Sequence, residues 1–210
     1  MIRILVADDH SVVRQGLKQI VADNPDMEIV GEAGTGEEAL ELVRSGSFDL
    51  VILDISMPGQ GGLDILRELK AQAPALKVII LSMHPEEQYA VRCLRDGASA
   101  YLTKGSPPEE LILAIKTVAS GKRYITPSVA DRLATYIEGS SQRPPHETLS
   151  DREMEVLVLI GSGKQVSDIA EELNLSIKTV STYRSRILLK MNMETNAQLI
   201  RYSLQHGLVG

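Results

Sequence analysis

Aromatic side chains are scarce in this chain of 210 residues, which contains one Phe and no Trp. Aliphatic side chains must therefore fill the cores that the chain forms. No apolar run approaches the roughly 20 residues that a membrane-spanning helix requires. The sequence accordingly predicts a soluble protein rather than a membrane protein.

Cysteine is almost as scarce, because Cys93 is the only one and no intramolecular disulfide can form. The N-terminal stretch MIRILVADDH has too short an apolar run for a signal peptide, and that run ends in acids. Neither feature points to export, so we expect a cytoplasmic location. For Cys93 itself, which lies in a predicted helix, we expect a small buried apolar role rather than redox chemistry.

The formal net charge is −6, and a negative sum argues against contact with nucleic acid. Its distribution is uneven: residues 1–122 hold 12 Lys and Arg against 18 acids, whereas residues 147–210 hold 7 against 8. Residues 176–190 carry four basic residues and no acid. A local cationic stripe of this kind suits contact with phosphates, although composition alone favours a solvated helix face.

The first 120 residues alternate between short apolar runs and segments with helical spacing. The apolar runs predict strands at 2–7, 27–33, 48–53, 77–82 and 99–102. The segments between and after them predict helices at 12–22, 36–45, 63–71, 86–96 and 108–120. Strict alternation of this kind predicts an α/β fold: a flavodoxin-like, doubly wound, five-stranded parallel sheet with helices on both faces.

After Gly121 the strand pattern ends, and a helix is predicted near 127–138 with Thr126 as its cap. The next ten residues, 139–148, are rich in Gly, Ser and Pro and form the best linker candidate. We therefore divide the chain into three parts. These are a domain at 1–122, a linker at 123–147 that includes the helix, and a second domain at 148–210.

The second domain is predicted to be a small all-α unit of four helices. Ser150 with Glu153 and Thr195 with Gln198 have the spacing of capping boxes, which mark two helix starts. The two middle helices, at 166–173 and 177–191, are joined by the short segment Asn174, Leu175 and Ser176. Two helices joined by so short a turn form a helix-turn-helix.

Acidic residues follow two of the predicted strands: Asp8 and Asp9 follow the first, and Asp54 follows the third. Doubly wound sheets bind ligands beyond the carboxyl ends of their strands, where the winding direction reverses. In the flavodoxin-like order that reversal falls between strands 1 and 3, so the three carboxylates are expected to meet. They repel one another unless a cation lies among them, and oxygen ligands with an incomplete shell favour Mg²⁺.

Ser82 and Lys104 complete this set, because they end the fourth strand and follow the fifth. A hydroxyl and an ammonium at neighbouring strand ends can bind the oxygens of a phosphoryl group. Asp54 is then the natural nucleophile, with the metal and Lys104 neutralising charge. A single acid or lysine after a strand is usually a cap or a surface residue, but the ordered set favours a phosphoryl site. For His10 and His84, which flank it, we expect cap or rim roles rather than metal ligation.

Four segments carry a family resemblance: ADDH at 7–10, LDISMPGQGG at 53–62, LSMH at 81–84 and AYLTK at 100–104. They closely resemble the receiver domains of two-component response regulators. The resemblance implies that Asp54 accepts a phosphoryl group from a sensor histidine kinase. It also implies that Asp8, Asp9, Asp54 and the backbone carbonyl of Ser56 hold Mg²⁺.

The same resemblance implies that Ser82 and Tyr101 form a switch pair, in which the hydroxyl moves toward the phosphate and the ring follows. The alternative for Tyr101 is an amphipathic strand residue at the edge of the sheet. One departure concerns the loop after Lys104, where many receivers have proline and this chain has Gly105 and Ser106. The shape of that loop therefore stays open.

Residues 149–192 closely resemble the LuxR-type helix-turn-helix of NarL/FixJ response regulators. The resemblance implies contact with double-stranded DNA through the second helix of the motif, and homodimers when the protein is phosphorylated or DNA-bound. It directs Ser181, Thr182 and Ser185 toward the bases and the basic residues mainly toward the phosphates. The whole predicted DNA-binding set is Lys178, Thr179, Ser181, Thr182, Arg184, Ser185, Arg186 and Lys190. On the last helix, Leu199, Ile200 and Leu204 fit core packing and a dimer surface equally well.

Together these features predict a DNA-binding transcription regulator that is switched by phosphorylation of Asp54 and is not an enzyme in the turnover sense. One alternative is a Mg²⁺-dependent phosphohydrolase with an aspartyl nucleophile. That reaction needs an acid two residues after the nucleophile, and Ser56 occupies that position. The other alternative is an interaction protein whose helical domain binds protein rather than DNA.

Overall fold

The computed structural model describes residues 1–57, 61–138 and 144–209. The chain divides into two compact units, Met1–Tyr136 and Ile137–Gly210. The division falls inside the segment predicted as the linker, so the domain limits at 122 and 148 stay predictions. Two stretches that the sequence analysis singled out lie partly outside the described residues: 58–60 of the LDISMPGQGG segment, and 139–143 of the Gly/Ser/Pro-rich stretch.

Five parallel strands form the sheet of the first unit, in the order β2-β1-β3-β4-β5. The strands are β1 (Ile2–Ala7), β2 (Met27–Ala33), β3 (Leu50–Leu53), β4 (Lys77–Ser82) and β5 (Ala100–Thr103). The predicted doubly wound sheet and its flavodoxin-like order are thereby confirmed.

Helices follow every strand, as expected. They are α1 (Ser11–Ala22), α2 (Gly36–Ser45), α3 (Gly62–Gln72), α4 (Glu86–Arg95) and α5 (Pro108–Ala119). A sixth helix, α6 (Pro127–Glu138), follows them and has the predicted bounds. None of the helices in the described parts of the chain is long and apolar enough to cross a membrane.

The middle of the sheet is buried on both faces. All four residues of β3 are buried, and so are five of the six in β4. Near-continuous apolar runs are the sequence of such strands, because helices cover both of their faces. β3 begins at Leu50, two residues later than the predicted run at 48–53. Asp49 still pairs through its backbone: its N–H donates to the carbonyl of Arg3 at 2.9 Å, and its carbonyl accepts the N–H of Lys77 at 3.3 Å. Its side chain also accepts the N–H of Arg3 at 2.8 Å.

Gly62, at the start of α3, fixes the path of the chain just beyond the third strand. A Cβ at this position would lie 2.3 Å from Cα of Ile55, a distance that no side chain tolerates. The glycine therefore lets α3 approach the backbone directly after Asp54. Part of the LDISMPGQGG segment thus serves packing rather than chemistry.

The second unit contains a short 3₁₀-helix (Pro145–Thr148) and the four predicted helices. These are α7 (Asp151–Gly161), α8 (Val166–Glu172), α9 (Ile177–Lys190) and α10 (Asn196–Gln205). Both predicted capping boxes are present, with Ser150 and Thr195 as the cap residues. In the turn between α8 and α9, Asn174 has φ of 56°, a left-handed conformation that Asn tolerates better than most residues.

The end of the predicted linker is ordered against the second unit. Residues 145–148 form the 3₁₀-helix, and Nδ1 of His146 lies 2.7 Å from the hydroxyl oxygen of Tyr202 on α10. The ring of Tyr202 also stacks on His206, with centroids 3.9 Å apart. Composition alone missed this attachment, because a single His–Tyr contact over 56 residues leaves no local pattern.

Candidate functional site

The carboxyl edge of the sheet brings the sequence-predicted phosphoryl-site residues together. Backbone hydrogen bonds continue the strand register one residue past the strands: Asp54 N–H donates to the carbonyl of Ala7 at 2.8 Å, and Lys104 N–H donates to the carbonyl of Ser82 at 2.7 Å. The main chain of Asp54 and that of Lys104 are therefore held by the sheet rather than by a free loop. Residues about 45 positions apart in sequence meet because parallel strands end at the same edge.

Lys104 is the cation at the centre of this edge. Its Nζ lies 2.6 Å from Oδ2 of Asp54 and 2.7 Å from Oδ2 of Asp8. The side chains of the two acids are 0% and 3% exposed, and that of the lysine is 8% exposed. Burial by itself would lower the pKa of Lys104, but its hydrogen bonds to Asp54 and Asp8 outweigh burial and hold that pKa above its usual value. The lysine is consequently a fixed positive charge at neutral pH.

Negative charge still exceeds positive charge here. Asp8, Asp9, His10 and Asp54 can each offer one ligand atom, and these atoms all lie within 4.8 Å of one another. Three carboxylates against one ammonium leave room for a divalent cation, and oxygen donors in an open site are the ligands that Mg²⁺ prefers. The residues present therefore fit Mg²⁺.

Ser56 lies against the same cluster. Its backbone N–H donates to Oδ1 of Asp54 at 2.8 Å, so its main chain is held beside the carboxylate. Its hydroxyl oxygen is buried and has no hydrogen-bond partner among the described residues. The position two residues after Asp54 thus carries a main-chain contact and no acid, as the sequence indicated.

His10 occupies the rim of the cluster. It is the N-cap residue of α1, but its side chain makes no capping hydrogen bond. Nδ1 instead lies 2.9 Å from Oδ1 of Asp9 and 3.3 Å from Oδ1 of Asp8, and 62% of the side chain is exposed. Of the two roles expected for His10, the structure places it at the rim.

Ser82 and Tyr101 both contact the loop that follows β4. The Ser82 hydroxyl is fully buried and accepts a hydrogen bond from the N–H of His84 at 3.1 Å. The Tyr101 hydroxyl donates to the carbonyl of the same residue at 3.0 Å. Burial raises the pKa of Tyr101 far above its usual value, so the phenol keeps its proton and remains a donor. Tyr101 is a buried residue of β5. The hydroxyls of Ser82 and Tyr101 thus bind the backbone N–H and the backbone carbonyl of His84, respectively.

The second predicted site, on α9, has an exposed and a buried face. Val180 and Ile187 are fully buried in the core of the unit. Thr179 and Arg184 are half-buried, and Thr179 takes part in the N-cap with Ser176. The remaining predicted DNA-binding residues are exposed: Lys178, Ser181, Thr182, Ser185, Arg186 and Lys190.

Two of the four cations of α9 have partners inside the unit. Nε of Arg184 donates to Oδ1 of Asn196 at 2.6 Å, and Nζ of Lys190 donates to Oε2 of Glu153 at 2.6 Å. Lys178 and Arg186 are exposed and lie about two helical turns apart on the same helix. Sequence reasoning treated the four cations alike and missed these two partners, since contacts between distant helices leave no local spacing signal.

The hydroxyls on the exposed face are oriented by their own helix. Thr182 Oγ1 donates to the carbonyl of Lys178 at 2.9 Å, and Ser185 Oγ donates to the carbonyl of Ser181 at 3.0 Å. Their protons are therefore used within α9, and the oxygens remain as acceptors. On α10, Leu199 is fully buried whereas Leu204 is 57% exposed, so core packing accounts for the first and leaves the second on the surface.

Known families match both sites. Residues 4–116 match the response regulator receiver domain, and residues 147–203 match the bacterial regulatory proteins of the luxR family. The receiver match contains the carboxylate site, and the luxR match contains α7 to α9 and most of α10.

Individual proteins are similar over nearly the full chain. The response regulator UvrY of Escherichia coli strain K12 is 39% identical over 209 residues, which cover 99% of this chain and 96% of that protein. Among solved structures, RcsB of Salmonella enterica serovar Typhimurium, bound to promoter rprA in the presence of phosphomimetic BeF3-, is 26% identical. The match covers 96% of this chain and 98% of the RcsB chain, with a TM-score of 0.62. A structure of two RcsB dimers bound to two parallel DNAs is 27% identical, covers 98% of both chains and gives a TM-score of 0.60.

Proposed function

The chain belongs to the two-component response regulators with a LuxR-type DNA-binding domain, and we propose that phosphorylation of Asp54 switches it. The observation that carries this proposal is the contact of Lys104 with both Asp54 and Asp8, at 2.6 and 2.7 Å. A buried carboxylate beside a fixed cation, with surplus acids that fit a divalent metal around it, supports the assignment of Asp54 as a phosphoryl acceptor.

Asp8, Asp9, Asp54 and the backbone carbonyl of Ser56 are the proposed Mg²⁺ ligands. When bound, the metal supplies positive charge to the phosphoryl oxygens. In the transfer itself, a carboxylate oxygen of Asp54 forms the new bond to phosphorus while the bond from phosphorus to the donor breaks, and the donor leaves with that electron pair. Lys104 then donates to a phosphoryl oxygen in place of Asp54. Its positive charge offsets the negative charge of the phosphoryl group.

Ser82 is the proposed hydroxyl that follows the phosphoryl group. Its oxygen is fully buried at the end of β4 and accepts the N–H of His84. Turning the hydroxyl toward the phosphoryl group would disturb His84, to which Tyr101 also donates. This shared contact supports the proposed switch pair of Ser82 and Tyr101.

On the output side, α9 is the proposed reading helix for double-stranded DNA, with the predicted set on 178–190 as its contacts. Lys178 and Arg186 have the exposure that phosphate contacts need. We propose a homodimer on DNA, and the relative RcsB, whose dimers bind DNA, supports this. A sensor histidine kinase as donor, and a cytoplasmic location where donor and DNA meet, belong to the same proposal.

Labelling tests the acceptor. The full-length protein is incubated with radiolabelled acetyl phosphate and Mg²⁺, and we expect stoichiometric, acid-stable and base-labile label on wild type. Asp54→Asn should lose the label, whereas Asp23→Asn, a matched change at an exposed acid, should keep it. Label that persists in Asp54→Asn refutes the acceptor assignment. Repeated turnover of a phosphate ester would instead favour the phosphohydrolase.

A further inference from the structure

The segment before α6 is fastened to the receiver unit beside its last strand. Tyr124 N–H donates to the carbonyl of Ser99 at 3.0 Å, and Tyr124 forms a parallel bridge with Ala100. Its hydroxyl donates to Oε1 of Glu110 on α5 at 3.1 Å. The path toward the second unit therefore starts from a fixed point at the edge of the sheet.

Two residues on, Thr126 connects the start of α6 to α4. Thr126 Oγ1 donates to Oε2 of Glu86 at 2.6 Å and accepts the N–H of Val129 at 3.4 Å. Val129 is 1% exposed, although its neighbours in the first turn of α6 are exposed. The first turn of α6 thus has one charge-assisted hydrogen bond to α4 and one buried apolar side chain.

Glu86 is also the end of the loop that leaves the phosphoacceptor site. It begins α4, and Pro85 separates it from His84, the residue held by Ser82 and Tyr101. The proline has φ of −59°, an angle that its ring fixes. One residue with a fixed φ thus separates His84 from Glu86, which gives a displacement of His84 a short path to Glu86.

We propose that Glu86 and Thr126 form a latch that holds α6 on α4 until Asp54 is phosphorylated. The inference rests on the proposed function. When the Ser82 hydroxyl turns to a phosphoryl oxygen, the N–H of His84 loses its acceptor, the loop shifts, and the Glu86 carboxylate leaves the reach of Thr126. The hydrogen bond between Glu86 and Thr126 is then formed in one state and broken in the other. Because the phosphoryl group favours the broken state, the contact couples the phosphoryl site to the segment that leads to the DNA-binding unit.

Hydrogen exchange of the α6 amides in the full-length protein measures the latch. The probe is beryllofluoride with Mg²⁺, a stand-in for the phosphoryl group. In wild type, beryllofluoride should speed exchange over residues 127–134 about fivefold, the scale expected when a charge-assisted hydrogen bond that is partly open to solvent is lost. Glu86→Ala should show this faster exchange without beryllofluoride and respond little to its addition.

Matched variants separate the latch from helix capping. Glu86→Gln keeps an acceptor oxygen and should lie between wild type and Glu86→Ala. Glu109→Ala removes an exposed acid from the first turn of α5 and should behave as wild type. Thr126→Ser keeps the hydroxyl and should restore what Thr126→Val loses.

Two failures are distinguishable. If fluorine NMR shows no beryllofluoride bound, the proposed acceptor site itself is wrong. If beryllofluoride binds and exchange of α6 is unchanged, or if Glu86→Ala leaves the wild-type response intact, the latch is refuted while the acceptor site stands. Faster exchange in Glu86→Ala together with a lost response supports it.

Discussion

Lys104 and Lys190 make ion pairs of the same length in different surroundings. Each places Nζ 2.6 Å from a nearly inaccessible carboxylate, that of Asp54 or that of Glu153. Lys104 is 8% exposed and shares its charge with a second acid, whereas Lys190 is 40% exposed and is balanced by one. A short ion pair is therefore no functional signal by itself. Burial together with an excess of one charge is what distinguishes the proposed phosphoryl site from the Lys190 pair.

The same comparison separates the cations of α9. Arg184 and Lys190 are tied to α10 and α7 by hydrogen bonds of 2.6 Å, while Lys178 and Arg186 are exposed. We expect the tied pair to contribute to the stability of the unit, and we propose that the exposed pair contacts DNA phosphates. Variants of each kind can test this division.

The largest effect is expected where the charge is buried. Lys104→Met leaves Asp8 and Asp54 without their ammonium, so the free energy of unfolding of the receiver unit should fall by about 3 kcal/mol without Mg²⁺. The proposed Mg²⁺ site exists only in the folded state, so added Mg²⁺ should recover part of that loss. Urea unfolding with and without Mg²⁺ measures both.

A matched change shows whether burial is the cause. Lys122→Met removes an exposed lysine of the same unit and should change the free energy of unfolding by about 0.5 kcal/mol or less, whatever the Mg²⁺ concentration. Equal losses in the two variants would contradict the contrast drawn between buried and exposed cations.

The carboxylate site could be predicted because topology does most of the positioning. Once the alternation of strands and helices gives a doubly wound sheet, Asp8, Asp54 and Lys104 must meet at its carboxyl edge. Short apolar runs and helical spacing are local signals, and they were enough for the strand order and for both capping boxes. The contact of the Asp49 side chain with the N–H of Arg3 was not predictable, since it joins residues 46 positions apart.

For α9, the sequence predicted which face is polar but not which of its cations have partners. Helical spacing separates Val180 and Ile187 from the polar side, but it says nothing of where a long cation goes. The partners of Arg184 and Lys190 lie on other helices, 12 and 37 residues away. Glu153 was identified as a capping-box residue, and its second role, as the partner of Lys190, needs the packed structure.

The next effect concerns DNA affinity. Lys178→Ala and Arg186→Ala should each weaken binding to a short random-sequence duplex about tenfold at low salt and lower the salt slope by about 1, because one phosphate contact is lost. The thermal stability of both variants should stay that of wild type. Fluorescence anisotropy over a salt series measures affinity and slope.

Arg184→Ala is the comparison for those two variants. The substitution removes the hydrogen bond to Asn196, so the melting temperature of this variant should fall, unlike that of the Lys178 and Arg186 variants. A variant of Lys178 or Arg186 that lost stability while keeping its DNA affinity would reverse the roles given to the exposed and the tied cations.

The smallest effect is a dependence on pH. Burial opposes ionisation of Glu153, but Lys190 and the backbone N–H of Ser150 outweigh it and hold the pKa of Glu153 below 4.5. A carboxyl whose pKa is lower in the folded state contributes stability above its unfolded pKa and loses it as the pH falls through the folded value. Glu153→Gln should therefore cost about 1 kcal/mol at pH 7, and the difference from wild type should shrink below about pH 4.

Glu194→Gln, at an exposed acid of the same unit, should show no such difference in urea unfolding across this range. A constant gap between wild type and Glu153→Gln at every pH would mean that the Lys190 pair acts by packing rather than by charge.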